Sequence, residues 1–415
     1  MVKNLLRSAG PHFWGPRCLL GDGKPPPYSF LLGVVMSMPE NPNRPLGEAS
    51  FDPQRRKFAK LALIGALGGT ALLGRARPSA AKIHDLPPGI KIAVQLNSDP
   101  SEEDLQFVKQ LGAEYVTIWV HADEATYENF RRLREKVEAA GLRVWNIGNL
   151  DVHNAAMEAV VLNLPGRDRK IDEYKTYLRN LGKAGIYYTT YAHSANGIWS
   201  TARESTRGGA SARAFDLAKA DAGYWDTRVF KGPLTHGRVY SEKEIWDNYT
   251  YFIKAVTPVA EEEGVRIGIH PDDPPVPVLG GVPRCIFGNF EGYRRAFEIA
   301  DSPNIGMCLC CGTWLEGGKL MGRDVLETIH YFGQQGKIFK IHFRNVNAPV
   351  PHFVETFVDD GYMDMEKVMR ALREVNFNGV MIPDHIPEMI GGSRAGTAYS
   401  IAYMKALLRT VGGMS

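Results

Sequence analysis

The chain is predicted to be an α/β protein folded as a (β/α)8 TIM barrel. Three observations carry this reading. From residue 86 onward, short β-rich apolar runs alternate with helical stretches. Eight such alternations fit into about 330 residues, where a typical barrel takes ~250 and insertions extend it. No Gly-x-Gly-x-x-Gly turn follows the first run, which disfavours the runner-up, a doubly wound open sheet.

The predicted strands, in order, are Ile90–Leu96, Tyr115–Val120, Leu142–Ile147, Tyr187–Tyr191, Val265–Ile269, Ile305–Leu309, Ile338–Phe343 and Val380–Ile382. Continuous apolar runs of this length suit strands buried on both faces of a parallel sheet. The intervening helices show one apolar face, as in Phe130, Leu133 and Val137, and in Ile245, Tyr249, Phe252, Val256 and Val259. Several end at a glycine just before a strand, in Ala140-Gly141, Ala184-Gly185 and Glu263-Gly264. Glycine there takes the left-handed conformation that stops a helix. Surplus length falls at residues 148–180 and 194–240, both after strands.

Composition narrows the function classes. The 415 residues are 44% apolar and 23% charged, values of a soluble globular protein. The formal charge of +3 rests on 49 basic against 46 acidic residues, with no basic stripe, so nothing points to nucleic acid. No apolar run reaches the ~18 residues of a membrane span. Three of the five cysteines lie together as Cys308, Cys310 and Cys311, a pattern that suits a metal or reactive site better than a disulfide framework.

Residues 1–85 form a leader distinct from the barrel domain at 86–415. The leader is rich in Pro, Gly and Arg. Within it, Arg55-Arg56-Lys57-Phe58-Ala59-Lys60 leads into the Gly-interrupted apolar stretch Leu61–Leu73, followed by the small residues Ser79-Ala80-Ala81. Paired arginines, weak hydrophobicity and small residues at the end read as a twin-arginine (Tat) signal. The expected partner is the Tat export machinery and the expected location periplasmic, with a cytoplasmic protein as the alternative. The long lead before Arg55 raises Met36 or Met38 as the start of translation.

A barrel of this class builds its active site at the C-terminal ends of its strands. Strand five ends in His270-Pro271-Asp272-Asp273-Pro274-Pro275, and strand six runs into Cys308-Leu309-Cys310-Cys311-Gly312-Thr313. Strand seven carries His342-Phe343-Arg344-Asn345, and strand eight ends in Pro383-Asp384-His385. Four successive strands thus finish in residues able to bind a metal. Alternation puts Cys308 and Cys310 on one face and Cys311 on the other while the strand stays regular. Cys310 is the thiolate candidate at the rim, and Cys308 is expected as a buried filler one layer lower. A His270, Cys310, His342, Asp384 set with an open position suits a catalytic divalent ion, and ligand softness leans towards zinc or iron over manganese. Asp272 and Asp273 are either further ligands or an Asx-type turn. His121, His153 and His193 each follow a strand and are candidates to line the pocket, with Tyr191 and Trp199 as an apolar wall.

These strings resemble the mannonate dehydratase family. His270-Pro271-Asp272-Asp273-Pro274-Pro275 with Leu279-Gly280 and Pro283-Arg284 is similar to its signature loop. So is Leu164-Pro165-Gly166-Arg167-Asp168-Arg169 with Asn180-Leu181-Gly182-Lys183-Ala184-Gly185. The elements Cys310, Gly312, Thr313; His342, Arg344; and Pro383, Asp384, His385 match as well, and the likeness runs from about residue 88 to 412. It implies a xylose-isomerase-like barrel that converts D-mannonate to 2-keto-3-deoxygluconate and water, usually with Mn2+; Fe2+ and Zn2+ are the other divalent candidates. The implied metal ligands are His270, Cys310, His342 and Asp384. A family tyrosine fifteen residues beyond the metal aspartate matches Tyr399, with Tyr403 one turn further as the structural alternative.

The chemistry needs such groups. The proton α to a carboxylate is weakly acidic, so one group must take it from C2 and another must protonate the departing C3 hydroxyl. Tyr399 and His385 are the expected catalytic pair, with the roles of base and acid left open. Arg344 is expected to clamp the substrate carboxylate, or else to hold Asp384 or Asp272. Two substrate loops depart from the family. Ile198-Trp199-Ser200-Thr201-Ala202 lacks the usual acid before Trp and the arginine two positions on, which Arg203 replaces only if the loop shifts. After His385 the chain reads Ile386-Pro387-Glu388 in place of Gly and a second His. The expected ligand is therefore a small sugar acid, mannonate first. Sugar isomerisation or epimerisation, or non-catalytic binding of a sugar acid by an exported barrel, are the alternatives. A homo-oligomer is among the assemblies the sequence allows.

Overall fold

Eight parallel strands form one sheet in the computed structural model, which describes residues 81–84, 86–225 and 228–412. They are β1 (Lys91–Leu96), β2 (Tyr115–Val120), β3 (Arg143–Asn149), β4 (Tyr188–Ala192), β5 (Arg266–His270), β6 (Ile305–Cys310), β7 (Ile338–Phe343) and β8 (Val380–Pro383). The hydrogen-bonded order runs β3-β2-β1-β8-β7-β6-β5-β4. β3 and β4, at its two ends, lie against each other and bring the sheet round into a barrel. Each expected strand is present within a residue or two of its predicted bounds. Every residue of β6 and β7 is buried, as continuous apolar runs require.

The helices start and stop for local reasons. Ser101, Ser241 and Asp324 each form a capping box with the acid three residues on, and Thr126 and Asn289 cap with their side chains. Gly264 ends the helix Glu242–Glu263 in the left-handed conformation (φ 70°), two residues before β5 begins. The apolar faces read from the sequence are buried, among them Phe130, Leu133, Val137, Tyr249 and Phe252. Among the described residues no helix is long and apolar enough to cross a membrane. The twin-arginine segment around Arg55-Arg56 lies outside the described residues.

The surplus after β4 becomes a second layer of structure over the C-terminal face. Ala202–Ser205 pairs antiparallel with Ser211–Asp216, which pairs in turn with His352–Thr356 from the β7–β8 connection. Asn345–Val346 completes this four-stranded sheet. A separate hairpin joins Ala222–Trp225 to Arg228–Lys231. The excursions after β4 and β7 are thus zipped together above the strand ends.

Candidate metal centre and active site

Strand register places the four candidate ligands. Cys310 lies opposite His342 in the β6–β7 ladder, and His342 opposite Ile382 in the β7–β8 ladder, two residues before Asp384. His270 is the last residue of β5. One donor atom from each of His270, Cys310, His342 and Asp384 comes within 4.8 Å of all the others. The Asp384 Oδ2 lies 3.9 Å from Cys310 Sγ and 3.4 Å from His342 Nδ1.

The donor set fits a divalent cation. Both ring nitrogens of His342 are buried without a hydrogen-bond partner, a costly arrangement unless something else binds them. His270 Nδ1 donates to the Pro271 carbonyl at 2.7 Å, which leaves Nε2 as the ligating nitrogen. Burial opposes a thiolate at Cys310, but the Arg344 guanidinium and the two histidines outweigh it and hold this thiol well below its ordinary range. Burial likewise opposes ionised Asp384, and His385, His342 and Arg344 overcome it. Two anions and two imidazoles at one point are the ligand chemistry of a catalytic transition-metal site. Cys310 also caps the helix Cys311–Gly317, its sulfur accepting the Thr313 N–H at 3.4 Å. That helix start ends the strand alternation, and Cys311 packs into the apolar core.

Arg344 takes the second of its two expected roles and is turned to protein groups. It is 1% exposed, and its donors go to protein groups: Nη2 to Asp273 (2.9 Å), Cys310 Sγ (3.1 Å) and Thr313 Oγ1 (3.0 Å), and Nη1 to Glu316 (2.7 Å) and Glu355. Its Nε lies 3.3 Å from Asp384 Oδ2. The guanidinium therefore holds two of the candidate ligands, Cys310 and Asp384, from behind. Gly312 is what lets it approach, since a Cβ there would sit 2.3 Å from Arg344 Nε.

A second buried guanidinium completes this layer. Arg213 donates to Asp273, Glu355 (2.9 Å), Glu316 (3.2 Å), Ser200 Oγ (2.9 Å) and the Trp199 carbonyl (3.2 Å). Asp273 thus anchors both arginines and lies outside the four-donor cluster. Asp272 lies outside the four-donor cluster too, and burial lifts its carboxyl to about 6. Arg203, the candidate to replace the missing loop arginine, instead pairs with Glu388 at 2.7 Å and is substantially exposed. Arg213 brings the cation to Trp199.

Of the expected catalytic pair, His385 lies beside the cluster. Its Nδ1 bonds to Glu355 Oε1 at 2.7 Å, and its Nε2 lies 3.8 Å from Asp384 Oδ2. Burial would raise the Glu355 carboxyl, but His385, Arg344 and Arg213 hold it below its usual range, so it faces His385 as an anion. Tyr399 sits on the helix Gly392–Thr410; its hydroxyl donates to Asp359 at 2.6 Å and accepts from Arg207 at 3.1 Å. Those bonds tie its hydroxyl to the two excursions. Tyr403 packs against the core.

The remaining sequence candidates separate. His121 is exposed and paired with Asp151 at 3.2 Å. His193 is buried, bonded to the Tyr191 hydroxyl at 2.8 Å and stacked on Phe252, a core role. His153 is half-buried against Trp119; desolvation, then nearby His270, Lys340 and His342, lower it to about 3. Trp199 is fully buried and stacked on Phe230. Cys308 is the expected buried residue below Cys310, but it faces Lys340 across the ladder; burial raises its thiol, and His342 and Lys340 bring it down to about 7.

Sequence reasoning missed Arg213, Glu316, Glu355 and Lys340. Glu316 carried a faint signal, an acid in the otherwise apolar Thr313-Trp314-Leu315 helix just past the cysteines. Arg213 and Glu355 carried none, because they lie in excursions whose pairing is not local.

Comparisons with known proteins identify the family. The family model for D-mannonate dehydratase (UxuA) matches residues 98–414. The mannonate dehydratase of Streptococcus pneumoniae is 33% identical over 299 residues, 68% of this chain and 79% of that protein. Mannonate dehydratase 2 of Halalkalibacterium halodurans is 32% identical over 299 residues, covering 68% and 84%. The crystal structure of mannonate dehydratase from Streptococcus suis superposes with a TM-score of 0.67 at 27% identity, covering 79% of this chain and 99% of that one. A xylose isomerase domain protein from Planctomyces limnophilus shares the fold at a TM-score of 0.54 and 14% identity, over 79% of this chain and all of the other. Residues 98–414 are thus matched along a barrel whose strand ends carry the His-Cys-His-Asp cluster, and the chain belongs to the mannonate dehydratase family of hydro-lyases.

Proposed function

We propose that this chain dehydrates D-mannonate, or a sugar acid of like configuration, to a 2-keto-3-deoxy acid, with Mn2+ as the resident metal. The observation that supports it most is the His270, Cys310, His342, Asp384 cluster with the Glu355-anchored His385 imidazole beside it. These four residues would hold the cation, which when bound acts as a Lewis acid towards carboxylate or hydroxyl oxygens.

The chain's own groups supply the proton transfers. Elimination breaks C2–H and C3–O; one proton goes to a base, one is given to the leaving hydroxyl as water, and the resulting enol becomes the 2-keto acid. His385 Nε2 is a proton-transfer atom beside the ligands, and Glu355 fixes the ring's direction through Nδ1. Tyr399 is the second group, released to substrate from its Asp359 and Arg207 bonds. Arg344 and Arg213 keep Cys310, Asp384 and Glu355 anionic and exclude water from behind the site. The test is to incubate the metal-loaded protein with a panel of sugar acids and neutral sugars and assay 2-keto-3-deoxy products. Turnover of a neutral ketose or aldose with all acids inert would overturn the dehydratase reading.

We also propose export through the twin-arginine route, supported by Arg55-Arg56 and Ser79-Ala80-Ala81. Fractionation of cells expressing the full chain and its Arg55→Lys, Arg56→Lys variant tests it. Unchanged distribution between the two would overturn it.

A further inference from the structure

Three residues ahead of β1 are tied to the N-terminal end of the barrel by contacts that the dehydration chemistry does not use. The Lys82 N–H donates to the Glu261 carbonyl at 3.1 Å, and the Lys82 carbonyl accepts from Asn304 Nδ2 at 3.1 Å. Asn304 is fully buried, and the same amide reaches the carbonyls of Ala260 (3.3 Å) and Val265 (3.2 Å). His84 stacks on Tyr187, with ring centroids 3.4 Å apart and planes within 10° of parallel. Gly264 leaves room for this, since a Cβ there would sit 2.5 Å from His84 Nε2. Leu86 packs on the buried rings of Tyr115, Trp145, Tyr188 and Phe339, and its carbonyl accepts from Asn378 Nδ2 at 3.4 Å.

Glu261 lies in the last turn of the helix Glu242–Glu263, which closes on Glu261-Glu262-Glu263 with no basic residue. The carbonyl end of a helix carries partial negative charge, so three acids there are adverse and a cation is favoured. In the sequence, Lys82 follows directly on Ser79-Ala80-Ala81. Two tripeptides after the apolar stretch Leu61–Leu73 have small residues at both ends, as signal peptidase requires: Gly74-Arg75-Ala76 and Ser79-Ala80-Ala81. Only a cut after the second places the new amino group on the helix end.

Resting on the twin-arginine reading, we propose that signal peptidase cuts the Ala81–Lys82 bond and that the new amino terminus docks on the C-terminal end of the helix Glu242–Glu263. Water adds at the Ala81 carbonyl and the C–N bond breaks. Ala81 leaves with a carboxylate, and Lys82 takes the proton as an α-ammonium. The amide donor to Glu261 thereby becomes the cation that the last turn of the helix lacks. Ala81 is half-buried and Lys82 exposed, so the bond reaches the protease by local fraying of the chain. Asn304, His84 and Leu86 then hold the mature start against the barrel.

The test expresses the full chain in a bacterium with twin-arginine export and reads the periplasmic protein by N-terminal sequencing and intact mass. Lys82 should be the first residue, and Ala81→Leu should abolish that start. Aminopeptidase should leave Lys82 of the exported natural chain in place. Exported His84→Ala should be trimmed about tenfold faster, since proteolysis follows the population of the opened segment. Tyr187→Leu, which removes the same stack from the other side, serves where His84→Ala does not fold. A periplasmic protein that starts at Arg77 or anywhere else but Lys82 would overturn the proposal with export intact. So would a Lys82 start that survives Ala81→Leu, or equal trimming of the natural and stack-free chains. Natural chain kept uncut in the cytoplasm would overturn the export reading itself, and the proposal with it.

Discussion

Glu355 Oε1 accepts the Nδ1–H of His385 at 2.7 Å, and the opposite nitrogen of the same ring lies 3.8 Å from the Asp384 carboxylate. The two residues come from different excursions of the chain, yet together they set which ring nitrogen is free and where it points. His385 itself sits at φ 46°, a left-handed backbone that a non-glycine residue holds only when its surroundings fix it.

Replacing Glu355 with Gln keeps the shape and removes the anion. Turnover is expected to fall on the order of 10–100-fold, as for other residues that orient a catalytic or ligating histidine. Metal content, measured by atomic emission, should stay at the natural level. Unchanged turnover would remove Glu355 from the mechanism.

The two inward cysteines separate cleanly. Cys310→Ala should lower metal occupancy after dialysis, while Cys308→Ala should leave it nearly intact. Equal metal in the natural chain and Cys310→Ala would sink the ligand assignment. Occupancy should also fall as pH drops, since protons compete for thiolate and imidazole.

Arg344 stands behind the ligands, so its removal is a stability event. Arg344→Met leaves Asp273, Glu316 and Glu355 facing one buried cation instead of two. Loss of a buried partner typically costs about 3–5 kcal/mol. Urea denaturation reads this directly, and a raised KM with unchanged stability would restore the substrate-clamp reading.

Acid should destabilise the barrel through the same layer. Asp273, Glu355 and Asp384 are all held below the usual carboxylate range, against burial, by Arg213, Arg344 and His385 among others. Their contribution is complete above the unfolded pKa of about 4 and is lost as pH falls below it towards the depressed values. Glu316, pushed up by burial and by Asp273, works in the opposite direction. Unfolding free energies at neutral pH and near pH 3.5 should differ less in Asp273→Asn than in the natural chain; equal differences would dismiss Asp273 as a source.

Tyr399→Phe tests the remaining catalytic candidate. Turnover should collapse with metal retained. Full activity would mean that the hydroxyl serves only its bonds to Asp359 and Arg207.

The strand ends were legible because each is a local statement. An apolar run of five or six residues marks β6, and the polar residue that stops it marks the rim, so Cys310 and Asp384 announce themselves within a few positions. Cys311 escaped that logic only in detail, because the helix begins at once and alternation ends with it. The failed expectation for Arg344 has a different source. An arginine two residues past a ligand looks alike whether it faces solvent or a buried acid.

Sequence alone determined the eight-strand order, the helix stops at Gly141, Gly185 and Gly264, and the four residues that meet at the strand ends. These depend on periodicity and on which residue follows a strand. Only the tertiary structure decided what surrounds them. Arg213 finds Glu355 across 142 residues of chain, and Tyr399 finds Arg207 across 192, because separate excursions pair into one sheet above the barrel. Which charge neutralises which is settled by desolvation at the point of contact, and no local pattern encodes that contact. The same reason hid the buried cluster of Tyr115, Trp145, Tyr188 and Phe339 at the other end of the barrel, four rings distant in sequence.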